Sequence, residues 1–375
     1  MNRCQTCLMP NTRPDTPFED GICGACHSAA KRPHVDWDAR RKELVDLLDR
    51  HNGRCIVPSS GGKDSHFQVL TLLEMGADVT VVTATTCHPT ELGRKNIANL
   101  ARYARTVEYT PNQTVRAKLN RLGLELVGDI SWPEHVSIFT TPFRAATQLG
   151  IPLIFYGENP QNHYGGPLGT EEAKTMTRRW VSEFGGFLGL RPADMVGQMG
   201  ITEADMRDYM PPGEWSVVTT GIGAGRPGME AHFIGQYIPW DSRSNGLYAM
   251  QYGMQVESPT PANWLQAENL DNAQTGLHDY FGFLKYGYGR GCAQISMDIR
   301  AGRISREEAI YWLIEHDGLF PFEYAGVKID EVLGRLGFET EAGWNWLLSK
   351  VREFANPELF HIPTEGDELP RLKEL

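Results

Sequence analysis

The chain has 375 residues, 36 of them basic and 47 acidic, for a formal net charge of −11. Hydrophobic residues make up 41% and charged residues 22%, close to globular averages, which excludes collagen-like, coiled-coil and disordered classes. The length is enough for two or three domains with substantial cores, and the acidic balance argues against a protein built mainly to grip nucleic-acid phosphates.

The first twenty residues are polar and Pro-rich. The most apolar stretches, such as Ile151 to Tyr156, fall far short of the ~20 residues that span a bilayer, so a cytoplasmic protein with no membrane partner is expected. Four of the seven cysteines crowd into the first 26 residues as Cys4-x-x-Cys7 and Cys23-x-x-Cys26, fifteen residues apart. This is the spacing of a four-thiolate zinc ribbon, in which each pair grips one side of a tetrahedral ion. Pro10, Pro14, Pro17, Asp20, Gly21 and Gly24 favour turns over helix between them. A pair of disulfides or an iron–sulfur site are the alternatives, and the absence of a secretion signal disfavours the first. A closed Cys4 set leaves no open coordination position, so a structural Zn2+ is expected within a ribbon over residues 1–33.

Arg54 to Pro58 is a short β-branched run that leads into Ser59-Ser60-Gly61-Gly62-Lys63-Asp64-Ser65, and His66 to Met75 reads as a helix ended by Gly76. Strand, glycine loop and helix start form an anion site, because glycines admit close approach and free N–H groups point at phosphate. Ser60 and Ser65 add hydroxyl donors, Lys63 adds charge, and Asp64 is placed to hold Mg2+ between phosphate oxygens. The string S-G-G-K-D-S is not a Walker A loop. It resembles the pyrophosphate loop of the ATP pyrophosphatase group, which implies ATP as substrate and Ser60, Gly61, Gly62, Lys63, Asp64 and Ser65 as its contacts.

Beyond the loop, α/β alternation continues: strands over Ala77–Ala84, Thr106–Thr110 and Pro152–Tyr156, and helices over Thr90–Tyr103, Asn112–Leu122 and Ser137–Leu149. The order predicts a Rossmann-like doubly wound parallel sheet spanning residues 34–165. Ligands in such sheets lie beyond the carboxyl ends of the strands, which puts Thr83 to Thr86 near an adenine and Gly157-Glu158-Asn159 near phosphates. Glu158 and Asn159 are thus candidate contacts for substrate or magnesium; a strand-end carboxylate in solvent is the plainer reading of Glu158. Thr170 is expected to cap a helix through Phe184, and residues 166–230, rich in Gly, Pro and Met after Gly185, form an expected insertion that shapes a substrate pocket. Ala231 to Pro239 reads as a strand returning to the core, within 231–255.

The remaining residues, 256–375, are expected to be mostly helical. Asp279 to Gly291 combines aromatics, glycines and two cations. It reads either as a nucleotide-sugar contact, with Lys285 and Arg290 on a diphosphate, or as an aromatic core helix running into a glycine turn. Ser305-x-x-Glu308 is a capping box opening a helix through His316, which leaves Ile299 to Ile304 as a connector whose Arg300 and Arg303 serve as site or surface charges. Glu341 to Phe354 is amphipathic, with Trp344, Leu347, Leu348 and Val351 on its core side.

Taken together, C-x-x-C-x-x-P-x-T-R-P (Cys4 to Pro14), the glycine loop, Y-G-E-N (Tyr156 to Asn159) with Tyr164-Gly165-Gly166, Y-x-x-W-D (Tyr237 to Asp241), and K-Y-G-Y-G-R (Lys285 to Arg290) with I-R-x-G-x-I-S-R-E-x-A (Ile299 to Ala309) resemble the N-acetyl sugar amidotransferase family of lipopolysaccharide and flagellin-sugar biosynthesis. The resemblance covers nearly the whole chain. It implies that ATP adenylates the acetamido oxygen of a nucleotide-activated N-acetyl sugar, and that ammonia then expels AMP to leave an acetamidino group. Lys63 and Asp64 would be catalytic and Asp241 a further candidate contact. The family's ammonia comes from a separate glutaminase with a cyclase-like companion, in agreement with the lack of a G-x-C-x-G glutaminase elbow here. The strongest rival is a tRNA thiolase of the same ATP-splitting group, which would need reactive cysteines in the nucleotide domain and a basic face; thioamide-forming sulfur transfer to a small molecule is a variant of it. A ribbon scaffold with an inactive nucleotide site is the rival from outside enzymology.

Overall fold

The computed structural model describes residues 1–16, 18–167, 169–210, 228–257 and 260–374. Pro17, and residues 168 and 211–227 of the expected insertion, lie outside the described residues, as do 258, 259 and 375 of the expected carboxy-terminal segment.

A small antiparallel hairpin, β1 (Phe18–Glu19) and β2 (Ile22–Cys23), opens the fold and runs into helix α1 (Gly24–Lys31). Asp20 (φ +50°) and Gly21 (φ +76°) are both left-handed between the two strands, the conformation a two-residue hairpin turn demands. Asp36 then caps α2 (Trp37–Arg50) by accepting from Ala39 N at 2.9 Å.

The centre is a five-stranded sheet built from β3 (Arg54–Pro58), β4 (Asp78–Ala84), β5 (Arg105–Tyr109), β6 (Leu153–Tyr156) and β7 (Glu230–Phe233), in the spatial order β5-β4-β3-β6-β7. Every pairing is parallel, with Ile56 opposite both Thr80 and Ile154. Alternate side chains of the inner strands feed two different cores. Cys55, Val57, Leu153 and Phe155 pack with Leu44, Leu47 and Val69 of α2 and α3 (Lys63–Glu74), while Ile56, Ile154 and Tyr156 pack with Phe143 and Ala146 of α6 (Trp132–Leu149). Helices on both faces explain why these strands are apolar throughout rather than alternating with polar residues. The fold is the expected doubly wound α/β sheet.

Helices α4 (Glu91–Leu100) and α5 (Gln113–Val127) start on side-chain caps from Thr90 and Asn112. Past the sheet come α7 (Gln161–Tyr164), α8 (Arg178–Phe184) and α9 (Ser242–Gln251). The carboxy-terminal layer is helical: α10 (Thr275–Tyr286), α11 (Arg290–Arg300), α12 (Arg306–His316), α13 (Ile329–Arg335) and α14 (Thr340–Phe354). Leu277, Phe281 and Leu284 of α10 meet Leu347 and Val351 of α14 in a core of their own, so the aromatic-helix reading of Asp279–Tyr286 holds. Ser305 and Glu308 form the expected box at the start of α12.

Several boundaries differ from expectation for identifiable reasons. Helix α3 begins at Lys63 rather than His66, with Gly62 as its cap, so Lys63, Asp64 and Ser65 are its first turn. Helix α6 begins at Trp132, because Pro133 sits in its first turn where no N–H is needed. The expected Thr170–Phe184 helix is broken: Thr170–Glu172 is one 3-10 turn, Thr175 bridges to His232, and only Arg178–Phe184 is α-helical, capped by Thr177. The returning strand stops at Phe233, since Ile234–Gln236 winds into a 3-10 turn. No helix of the described residues is long and apolar enough to cross a membrane.

Candidate active site and metal centre

In the central sheet the chain leaves β3 toward β4 on one side and returns to β6 on the other. Side chains beyond the carboxyl ends of β3 and β6 therefore flank a crevice. The glycine loop follows β3 and Gly157-Glu158 follows β6, and both line one cleft of about 500 Å³. Gly61 adopts φ +82°, and a Cβ there would lie 2.9 Å from Ile97 N; only glycine fits. Ser59 Oγ accepts from Gly61 N at 3.0 Å and meets Ser65 Oγ at 2.9 Å, which holds the loop in shape. The first turn of α3 directs its free N–H groups and positive dipole end at the cleft.

Lys63 is 3% exposed. Its Nζ lies 2.5 Å from Asp64 Oδ2 and 2.7 Å from Glu268 Oε1. Burial alone would pull its pKa down, but the two carboxylates outweigh burial and hold it above the ordinary lysine value. A protonated lysine stored between two acids is a cation that an incoming phosphate can claim. Asp64 Oδ1 also accepts from Asn245 Nδ2 of α9 at 3.1 Å. Glu268 gave no sequence signal: it stands 205 positions from Lys63 in an irregular polar stretch, and only the fold brings the two together.

On the far wall, Arg116 of α5 is 1% exposed and donates to Glu134 Oε1 (3.0 Å), Tyr209 OH (2.9 Å) and Ser137 Oγ (2.6 Å). Arg116 and Glu134 both line the cleft, and nothing local in the sequence marks either of them. Breaking a buried pair strands a charge, so Arg116→Met should cost about 3–5 kcal/mol of stability, read as a lowered urea midpoint.

Arg290 also lines the cleft, with Nη2 2.8 Å from Asp279 Oδ1 and Nη1 3.3 Å from Tyr164 OH. The charge of Asp279 keeps it well above the usual arginine pKa. Glu158 is at the cleft as expected, and Thr86 lines it on the β4 side. Thr86 Oγ1 and the cleft-lining Gln68 Oε1 are buried without a hydrogen-bond partner among the described residues. Buried polar atoms are seldom left so, and a polar ligand in the cleft would satisfy them.

Three expected contacts are corrected. Lys285 turns away from the cleft and donates to Val127 O (3.2 Å) and Gly128 O (3.1 Å), because the last carbonyls of α5 need a donor. Asp241 caps α9 by accepting from Ser244 N at 2.8 Å and pairs with Arg303. Asn159 is fully buried, with Nδ2 donating to Thr170 O at 2.6 Å and Oδ1 accepting from Gln161 N at 3.1 Å; it shapes the turn after β6.

Cys4, Cys7, Cys23 and Cys26 are all buried, with mutually close sulfurs. The Cys4–Cys26 separation is 3.8 Å and the Cys7–Cys23 separation 3.6 Å. Those spacings are far too long for disulfides, and four sulfurs about 2.3 Å from one ion lie about 3.8 Å apart. The set fits one tetrahedral metal ion. Cys23 N donates to Cys4 Sγ at 3.3 Å, Arg300 Nη1 lies 3.7 Å from Cys7 Sγ, and Arg306 Nη1 reaches Cys4 O at 3.0 Å. Arg300 at the end of α11 and Arg306 of α12 thus clasp the knuckles, and Leu8 and Met9 share a core with Ile295 and Leu313.

The sheet and its cleft define a Rossmann-like α/β protein with a crevice at the switch point lined by the glycine loop and a four-cysteine centre at its amino end. Residues 258–361 match the family described as LPS biosynthesis protein WbpG-like, C-terminal domain. Among solved structures, the chain is similar to NMN synthetase from Francisella tularensis at 13% identity, covering 60% of this chain and 99% of that one, with a TM-score of 0.26, a likeness too low to inform fold or function. No curated protein is detectably similar in sequence.

Proposed function

We propose that this chain is an ATP-splitting amidotransferase acting on a nucleotide-activated N-acetyl sugar. One observation carries the reading: the glycine loop with Lys63, and Glu268, Asn269, Asn272, His278 and Arg290 from the segment that matches an LPS-biosynthesis domain, line the same cleft. A phosphate-binding end and a sugar-directed end would then share one site.

In this reading the pyrophosphate of ATP lies on the loop and the first turn of α3. The acetamido oxygen attacks the α-phosphorus, forming an O–P bond as pyrophosphate departs, and Lys63, released from Asp64 and Glu268, neutralises the charge that develops. Asp64 and Glu268 would supply oxygens to Mg2+, which screens the phosphates. Ammonia adds to the imidate carbon and loses a proton, and AMP leaves with the former carbonyl oxygen. Arg290 and Glu158 are the proposed substrate contacts, and Zn2+ is the proposed ion of the four cysteines, with a structural role.

Ammonia is favoured over sulfur by the remaining thiols. Cys55, Cys87 and Cys292 are buried, none lines the cleft, and burial pushes their pKa values up to about 12, 11 and 12. Such thiols are poor relays, because the thiolate is the reactive form. Ammonia would be delivered by a separate glutaminase with its cyclase-like companion. Mass spectrometry of a panel of nucleotide-activated N-acetyl sugars incubated with ATP, Mg2+ and ammonium tests the proposal. The expected product is lighter by the difference between O and NH; unchanged sugars throughout, or a heavier thio product when a sulfur donor is supplied, would contradict it.

A further inference from the structure

Asp129, His135 and His278 form a cluster that the loop chemistry does not use. Asp129 follows Gly128, the left-handed residue that ends α5 (φ +62°), and its Oδ1 accepts from Ser131 N at 2.8 Å. His135 comes from the start of α6 and His278 from the start of α10, and both line the cleft. His278 Nδ1 lies 2.8 Å from Asp129 Oδ1 and His135 Nδ1 lies 3.2 Å from Asp129 Oδ2. The two rings stand 5.0 Å apart at 75°, and one donor atom from each of the three residues falls within 4.8 Å of the others.

Simple hydrogen bonding explains only half of this. His135 Nδ1 is buried and meets the carboxylate at 3.2 Å without the alignment of an ordinary hydrogen bond. Tetrahedral donors about 2.0–2.2 Å from one ion lie about 3.3–3.6 Å apart, so the 2.8 and 3.2 Å separations would need to open only slightly around an ion. The outer groups fit as well. Ser131 N donates to Asp129 Oδ1 at 2.8 Å and so fixes the carboxylate, the kind of outer contact that orients a metal-binding group.

We infer that Asp129, His135 and His278 form a second metal site, separate from the four cysteines, that holds a divalent transition ion and keeps coordination positions open to the cleft. Two imidazoles and one carboxylate suit zinc and its first-row neighbours rather than magnesium or calcium. The open positions would take water or an oxygen of whatever occupies the cleft. The inference does not depend on the amidotransferase reading, and its test uses no turnover.

The full chain, stripped of metal and titrated with Co2+, should bind two equivalents. One gives the intense bands of tetrahedral thiolate coordination, and the other adds weaker bands of nitrogen and oxygen ligands. In His278→Gln and His135→Gln, with thermal melts confirming the fold, the weaker bands should vanish while the thiolate bands stay. Zinc content by mass spectrometry should fall from two equivalents to one in the same variants. A wild-type stoichiometry of one confined to thiolate bands, or weaker bands that survive in both variants, would overturn the inference; the wild-type titration decides even if a variant fails to fold.

Discussion

Lys63→Met is expected to lower ATP-dependent AMP release by about 10²–10³-fold, the usual consequence of deleting one group that stabilises transition-state charge. The residue sits in the first turn of α3 with its Nζ between Asp64 and Glu268, and in the proposed reaction it transfers its charge to the departing pyrophosphate. The substitution also leaves two acids facing each other across the space the ammonium filled. Both remain partly in contact with solvent, so the stability cost should be about 1–3 kcal/mol, well below that of an enclosed pair. Equilibrium urea unfolding beside the AMP assay separates the two effects. A folded Lys63→Met protein with wild-type turnover would reduce the lysine to a counter-ion for its neighbours.

The second large effect is on the four-cysteine centre. Cys4→Ser, or strong chelation, should remove about 5 kcal/mol or more of stability, since structural zinc sites contribute on that scale and beyond. The short hairpin β1–β2 contributes Phe18 and Ile22 to the core around the cysteines, and a lone two-stranded hairpin is marginal by itself. Its loss should spread, because Leu8, Met9 and the backbone carbonyls of Cys4 and Cys7 are packed against or gripped by α11 and α12. Tyr164 packs against that same core and touches Arg290 in the cleft, so activity should fall together with stability. Thermal melts with and without chelator give the first readout; an unchanged melt after complete metal removal would mean that the cysteines hold their shape by packing alone.

Local features carried most of what the sequence revealed. The runs Arg54–Pro58 and Ala77–Ala84 are rich in buried β-branched and apolar residues because their strands are covered on both faces, and that pattern needs no knowledge of partners. The glycine loop and the cysteine pairs are compact motifs whose geometry is set within a few residues. What stayed hidden depends on long-range juxtaposition. Glu268 reaches Lys63 only because the polar stretch before α10 folds over the loop, and Arg116 and Glu134 look like any helix charges until α5 and α6 pack side by side. Lys285 misled for the opposite reason: its aromatic and glycine neighbours suggest a ligand contact, but Gly287 ends α10 in the left-handed conformation and the lysine caps the carbonyls at the end of α5.

The most direct test is the identity of the nucleotide products. Purified chain supplied with ATP, Mg2+, ammonium and a nucleotide-activated N-acetyl sugar, then resolved by anion-exchange chromatography, should yield AMP and pyrophosphate in equal amounts, and only when both the sugar and ammonium are present. ADP with orthophosphate, or AMP formation indifferent to the sugar, would contradict the account.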